Sequence, residues 1–123
     1  MSGRERGSIS IVSAAAMVAM VVLAMACADL ARTLAAASAA QTAADAAALA
    51  AAQELAFPGG STTPRNTASD YATRNGGELV SCDCDAGARQ ATVQVTVPVG
   101  RLLLFGNDRK VTATARAEVD LPG

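Results

Sequence analysis

Residues 8–28, SISIVSAAAMVAMVVLAMACA, run without interruption into residues 29–57, DLARTLAAASAAQTAADAAALAAAQELAF, and this junction decides the fold. The first stretch carries no charge over 21 positions. Wound as an α-helix at about 1.5 Å per residue it is about 30 Å long, the thickness of a bilayer's hydrocarbon core. Arg4 and Arg6 flank its amino end, and only Arg32 lies close beyond its carboxyl end. That Lys/Arg bias places the amino terminus in the cytoplasm and the rest of the chain outside. A cleaved signal peptide is the rival reading. Arg4 and Arg6 would be its basic region, Ala24-Met25-Ala26 its small-x-small cleavage pattern, and Cys27 the residue that a lipoprotein would acylate. The continuation weighs against cleavage, because no proline or glycine occurs between Ser8 and Phe57 and the alanines favour helix throughout.

Membrane and outer segments therefore read as one helical rod of about 75 Å. Spacing of 100° per residue gathers Ser38, Gln41, Thr42, Asp45 and Gln53 on one side, with Leu49 intruding, and sets Leu30, Leu34 and Leu55 elsewhere. Most remaining positions are alanine, so the rod is slim enough for a neighbour's backbone to approach closely. A small domain covers only part of such a rod. On that reasoning Ala36, Ala40, Ala44, Ala47 and Ala51 are the expected helix-packing and assembly positions. Asp29 and Arg32, spaced i, i+3 at the membrane exit, are read as a local ion pair or an intersubunit pairing, and Asp45 as a solvated residue or a partner for a neighbouring chain.

Pro58-Gly59-Gly60 ends the rod. Thr63 suits a helix cap and Pro64 a first helical position, so a second, short helix runs from there to Asn75-Gly76-Gly77, with Ala68, Tyr71 and Ala72 on one face. The period then changes to two. Ala91, Val93, Val95, Val97 and Val99 alternate with Thr92, Gln94 and Thr96, and Val111, Ala113, Ala115, Ala117 and Val119 alternate with Thr112, Thr114, Arg116 and Glu118. With Glu78–Cys82 as a third strand, a three-stranded antiparallel sheet is the simplest closure, and Arg101–Phe105 is an apolar flap between the two stronger strands. The fold class is α+β. Residues 1–7 are a cytoplasmic basic leader, 8–28 the transmembrane segment, 29–57 the alanine-rich outer helix and 58–123 a small extracytoplasmic α+β domain.

Composition argues against several functions. Ten basic and eleven acidic residues are scattered without a basic cluster, and aromatics amount to 2%, so nucleic-acid binding has no footprint. Histidine is absent, and no Ser/His/Asp set or phosphate loop occurs, so neither an enzyme, a small-molecule substrate nor a cofactor is expected. Cys82-Asp83-Cys84-Asp85 is the one local cluster of ligand atoms, but it lacks the second, distant pair that zinc sites use, and no metal is assigned. Outside the membrane its thiols would be joined to each other, paired between chains or free. Cys27, in hydrocarbon, reads as a small packing residue.

Three features resemble the TadE/TadG-like proteins of Flp-type (tight adherence) pilus assembly and secretion. They are the leader Arg4-Glu5-Arg6-Gly7-Ser8, Asp29 at the end of the membrane segment, and Gln41-Thr42-Ala43-Ala44-Asp45-Ala46-Ala47-Ala48-Leu49-Ala50-Ala51-Ala52, which resembles the family's Q-x-A-A-D-A-A-A-L-A-A-A run. The resemblance covers about Arg4 to Ala52. It implies a single-pass cell-membrane protein with a pilin-like fold, partnered by lipid, other pilin-like subunits and the pilus machinery. It also implies leader cleavage between Gly7 and Ser8, although Val12 and Ser13 stand where the pattern has a glutamate. The alternative function is a membrane-anchored or secreted binding module, using the sheet, the Leu102–Phe105 flap and the Cys82/Cys84 loop as its contact surface.

Overall fold

The computed structural model describes residues 3–120, with side chains from Gly7 onward. A single helix, α1 (Gly3–Ala56), runs through both segments without a break, as the continuous alanine-rich sequence requires. Pro58 disfavours helical geometry at Phe57, and Gly59 turns the chain at a φ of 109°. A second helix, α2 (Pro64–Arg74), begins with proline in its first turn, and the Thr63 hydroxyl accepts the Asn66 amide at 3.2 Å. Its end is a Schellman motif: the Gly77 amide donates to the Ala72 carbonyl and the Gly76 amide to that of Thr73, with Gly76 left-handed at φ 80°.

Three strands follow, β1 (Glu78–Asp83), β2 (Gln90–Pro98) and β3 (Lys110–Glu118), in an antiparallel sheet of order β1-β2-β3. The alternation read from the sequence is the alternation of burial: Ala91, Val93, Val95 and Val97 of β2 face inward, as do Val111, Ala113, Ala115 and Ala117 of β3, while Thr114 and Arg116 face out. In β1 the register shifts between Leu79 and Ser81, which turns both Leu79 and Cys82 toward the core across three residues instead of two.

The inward face of the sheet lies along α1. A nine-residue strand at about 3.3 Å per residue reaches about 30 Å, which is the length of about 20 helical residues, so β2 and β3 match the outer half of the rod. Two contiguous clusters result. Ala36 and Ala40 pack with Val97, Val99, Val111 and Ala113 near the membrane end. Ala43, Ala44, Ala47, Ala48, Ala51 and Ala52 pack with Val93, Val95, Ala115 and the α2 residues Ala68 and Ala72 farther out. Fully burying a valine is worth about 1.5–3 kcal/mol, against about 0.8 kcal/mol for a single methylene, so Val93 and Val95 supply burial while the alanines let the sheet come close. Gly77 marks the tightest approach: a Cβ there would lie 2.5 Å from Val95 Cγ1 and 3.2 Å from Ala43 Cβ.

Candidate functional site

From Gly7 to Ala24 every residue of α1 is exposed, including Ile11, Met17, Met20 and Leu23, each more than 60% accessible. Among the described residues this is the one helix long and apolar enough to cross a membrane, with a mean hydropathy of 2.5 in its best window. An apolar surface of this extent in water is what a lipid environment removes, and the helix is consistent with membrane anchoring.

Where the apolar run ends, the chain closes on itself. Asp29 is 1% exposed. Its two carboxylate oxygens each accept a backbone amide at 2.7 Å, from Leu103 and from Leu104, so the 101–106 turn presents consecutive N–H groups to one anion. Burial works to raise the Asp29 pKa, but those two amides, with Arg32 nearby and a contribution from the Phe105 amide, outweigh it and hold the carboxyl below its ordinary value of 3.8. Arg32 donates to the Arg101 carbonyl on the same turn. Both charged residues of the membrane exit therefore engage the flap, 69 to 75 positions away in sequence, and the ion pair seen among the described residues is Arg74–Asp70 on α2. Thr33 returns its hydroxyl to the Asp29 carbonyl at 2.9 Å. The turn itself is closed by the Leu102 amide on the Gly106 carbonyl, with Leu102 buried and Leu103, Leu104 and Phe105 exposed.

The remaining expected positions are dispersed. Ala36, Ala40, Ala44, Ala47 and Ala51 do pack closely, but on the chain's own sheet and α2, so in this conformation they are intramolecular contacts. The sheet is long enough to cover the face that a shorter domain would have left open. The uncovered side of the outer helix is the polar one, Ser38, Gln41, Thr42, Asp45 and Gln53 with Leu49 among them, joined toward the membrane by Leu30 and Leu34. Asp45 accepts the Gln41 side-chain amide at 2.9 Å on that face. Cys82 and Cys84 are bonded to each other at the end of β1, and Cys27 is free and exposed on the apolar segment. No group of three or more His, Cys, Asp or Glu side chains suited to a metal occurs among the described residues. Gly7 and Ser8 are exposed on a continuous helix, whereas the side chains of Arg4 and Arg6 lie outside the described residues. At the far end of the molecule, a groove of about 520 Å³ lies between the end of α1 and the β1–β2 loop, lined by Glu54, Leu55, Ala56, Pro58, Pro64 and Ala86 among others.

Sequence reasoning did not find the Asp29 clamp. The available signal was a single acid at the end of a long apolar run together with a loop of consecutive apolar residues between Gly100 and Gly106.

Residues 7–54 match the model of the family described as "Putative Flp pilus-assembly TadE/G-like". The match spans the membrane segment and almost all of the outer helix, and it supports a role in pilus assembly. The comparisons with curated proteins and with solved structures gave no match.

Proposed function

We propose that this chain is a pilin-like structural or assembly component of a Flp-type pilus or related secretion filament. It is held in the membrane by residues 8–28, with its amino terminus in the cytoplasm and its α+β domain outside. The observation that carries the reading is the coincidence of the family match with one unbroken helix whose two faces have different duties. The alanine face of residues 36–52 mounts the domain, and the outward face from Leu30 through Thr42 to Gln53 is left for a neighbouring subunit. On the mounted face alanine supplies helix propensity without bulk, which lets the sheet approach closely.

Deleting the coding sequence in a cell that makes such pili is expected to abolish or sharply reduce surface filaments, with recovery on return of the full chain. Normal filament number after deletion would overturn the proposal. A second reading, an anchored binding module, is favoured by one feature, the apolar groove at the membrane-distal tip. It is distinguished by substitutions in that groove that impair function while filaments form normally.

A further inference from the structure

We infer that the Leu103-Leu104-Phe105 turn is a second membrane contact, an interfacial anchor that dips into the leaflet from which α1 emerges. This rests on the membrane-spanning reading of residues 8–28 and deepens it. The location comes first. The turn is pinned by two amides to Asp29, the residue immediately after the apolar run, and by its Arg101 carbonyl to Arg32. Its height on the rod is thus fixed at the boundary between hydrocarbon and water. Exposure along α1 changes just before Asp29: Ala24 and Cys27 are exposed, whereas Met25, Ala26 and Ala28 are partly covered. Four residues of helix correspond to about 6 Å, within the depth of about 5–10 Å at which interfacial apolar groups sit.

Chemistry agrees with place. Leu103, Leu104 and Phe105 are 51%, 42% and 57% exposed, three consecutive apolar side chains at the tip of a loop. Part of the backbone cost of approaching the headgroups is already met, because the Leu103 and Leu104 amides are held by the Asp29 carboxylate and the Leu102 amide by the Gly106 carbonyl. Arg32 donates to the Arg101 carbonyl at the base of the turn, the Arg109 guanidinium lies 5.9 Å from the Phe105 ring centroid, and Asp108 is the one acid between Gly100 and Lys110. Apolar residues flanked by cations fit acyl chains below anionic headgroups. The effect on the molecule is orientational: a rod held by one helix is free to tilt, and a second contact on one side restricts that tilt and sets which face of the outer helix looks sideways along the membrane.

The chain has no tryptophan, so one introduced residue is a unique fluorescent probe. Full-length Leu104→Trp, Phe105→Trp, Val18→Trp and Phe57→Trp proteins would be reconstituted in phosphatidylcholine/phosphatidylglycerol vesicles in which the phosphatidylcholine is brominated either high or deep on the acyl chain. Val18 lies mid-span, and Phe57 lies about 40 Å along the helix from Asp29. Emission from the two turn variants is expected to be blue-shifted and quenched most by the high bromines, that from Val18→Trp most by the deep ones, and that from Phe57→Trp by neither. Adding Asp29→Ala to Leu104→Trp is expected to weaken the quenching. If both turn variants behave like Phe57→Trp while Val18→Trp is quenched, the anchor is refuted and the membrane span stands. An unquenched Val18→Trp chain would overturn the span and the anchor together.

Discussion

Gly77→Ala isolates the closeness of sheet and helix from every other feature of the domain. The added Cβ would sit 2.5 Å from Val95 Cγ1 and 3.2 Å from Ala43 Cβ. Neither neighbour is the free end of a flexible side chain: Val95 and Ala43 are both fully buried, and a β-branched valine has little rotamer freedom to give. The backbone must shift instead. Overpacking of this kind costs about 1–3 kcal/mol. Replacing glycine also restricts the unfolded chain, which returns about 0.4–1 kcal/mol. A net loss of about 1–2 kcal/mol lowers the melting temperature of a domain this small by roughly 5–15 °C. Tyr71, the single tyrosine, sits on α2 and reports the domain alone, so its fluorescence during heating of the full chain in detergent reads the transition without interference from α1. Gly60→Ala is the control, since the atom its Cβ meets at 3.2 Å is the movable tip of Glu54. It is expected to melt at or slightly above the parent. Equal melting temperatures for the two variants would refute the close approach.

Ala47→Leu is expected to destabilise the domain by about 1–3 kcal/mol in the same assay, whereas Thr42→Leu, on the uncovered face, leaves it within about 0.5 kcal/mol. Loss of filaments in Thr42→Leu without loss of stability would be the mark of an assembly face. The Asp29 clamp is expected to be acid-sensitive. A carboxyl whose folded pKa is depressed contributes stability that is complete above its unfolded value, near 3.8, and lost as the pH falls through its lower folded value. Proteolysis within the 101–106 turn should therefore be slow at neutral pH and accelerate below about pH 4 in the parent but not in Asp29→Ala. Reduction of Cys82–Cys84 is expected to lower the melting temperature only modestly, because a bond across one intervening residue closes a minimal loop whose entropy is worth about 1.5 kcal/mol. A large drop, read by the same Tyr71 signal, would contradict that.

The parts of the fold legible from sequence were those decided locally. Unbroken helix through Asp29 followed from an absence of breakers, α2 from Thr63-Pro64 and Asn75-Gly76-Gly77, and the inward faces of β2 and β3 from strict alternation. What sequence reasoning misjudged was reach. It treated the alanine face as larger than the domain, whereas nine-residue strands span about 20 helical residues and cover Ala36 through Ala52. The irregularity in β1 gave no periodic signal, because a bulge breaks the very alternation by which strands are recognised. The position of Asp29 suggests a local ion pair with Arg32 or a pairing between subunits. Its actual partners are amides of Leu103 and Leu104, and amides carry no residue identity for a sequence motif to record.

In a cell making pili, the outward face of α1 is where a neighbouring subunit is expected to lie. A photoreactive residue introduced at Thr42 or Leu49 of the full chain samples that face, one at Ala44 samples the face under the sheet, and one at Gly60 samples the distal groove. After irradiation of intact cells, covalent adducts would be identified by mass spectrometry. The expected result is adducts to pilus-system proteins or to further copies of the chain from Thr42 and Leu49, and adducts only within the chain from Ala44. Adducts from Gly60 alone, with none from the helix face, would contradict assembly through α1 and leave the binding-module reading in its place.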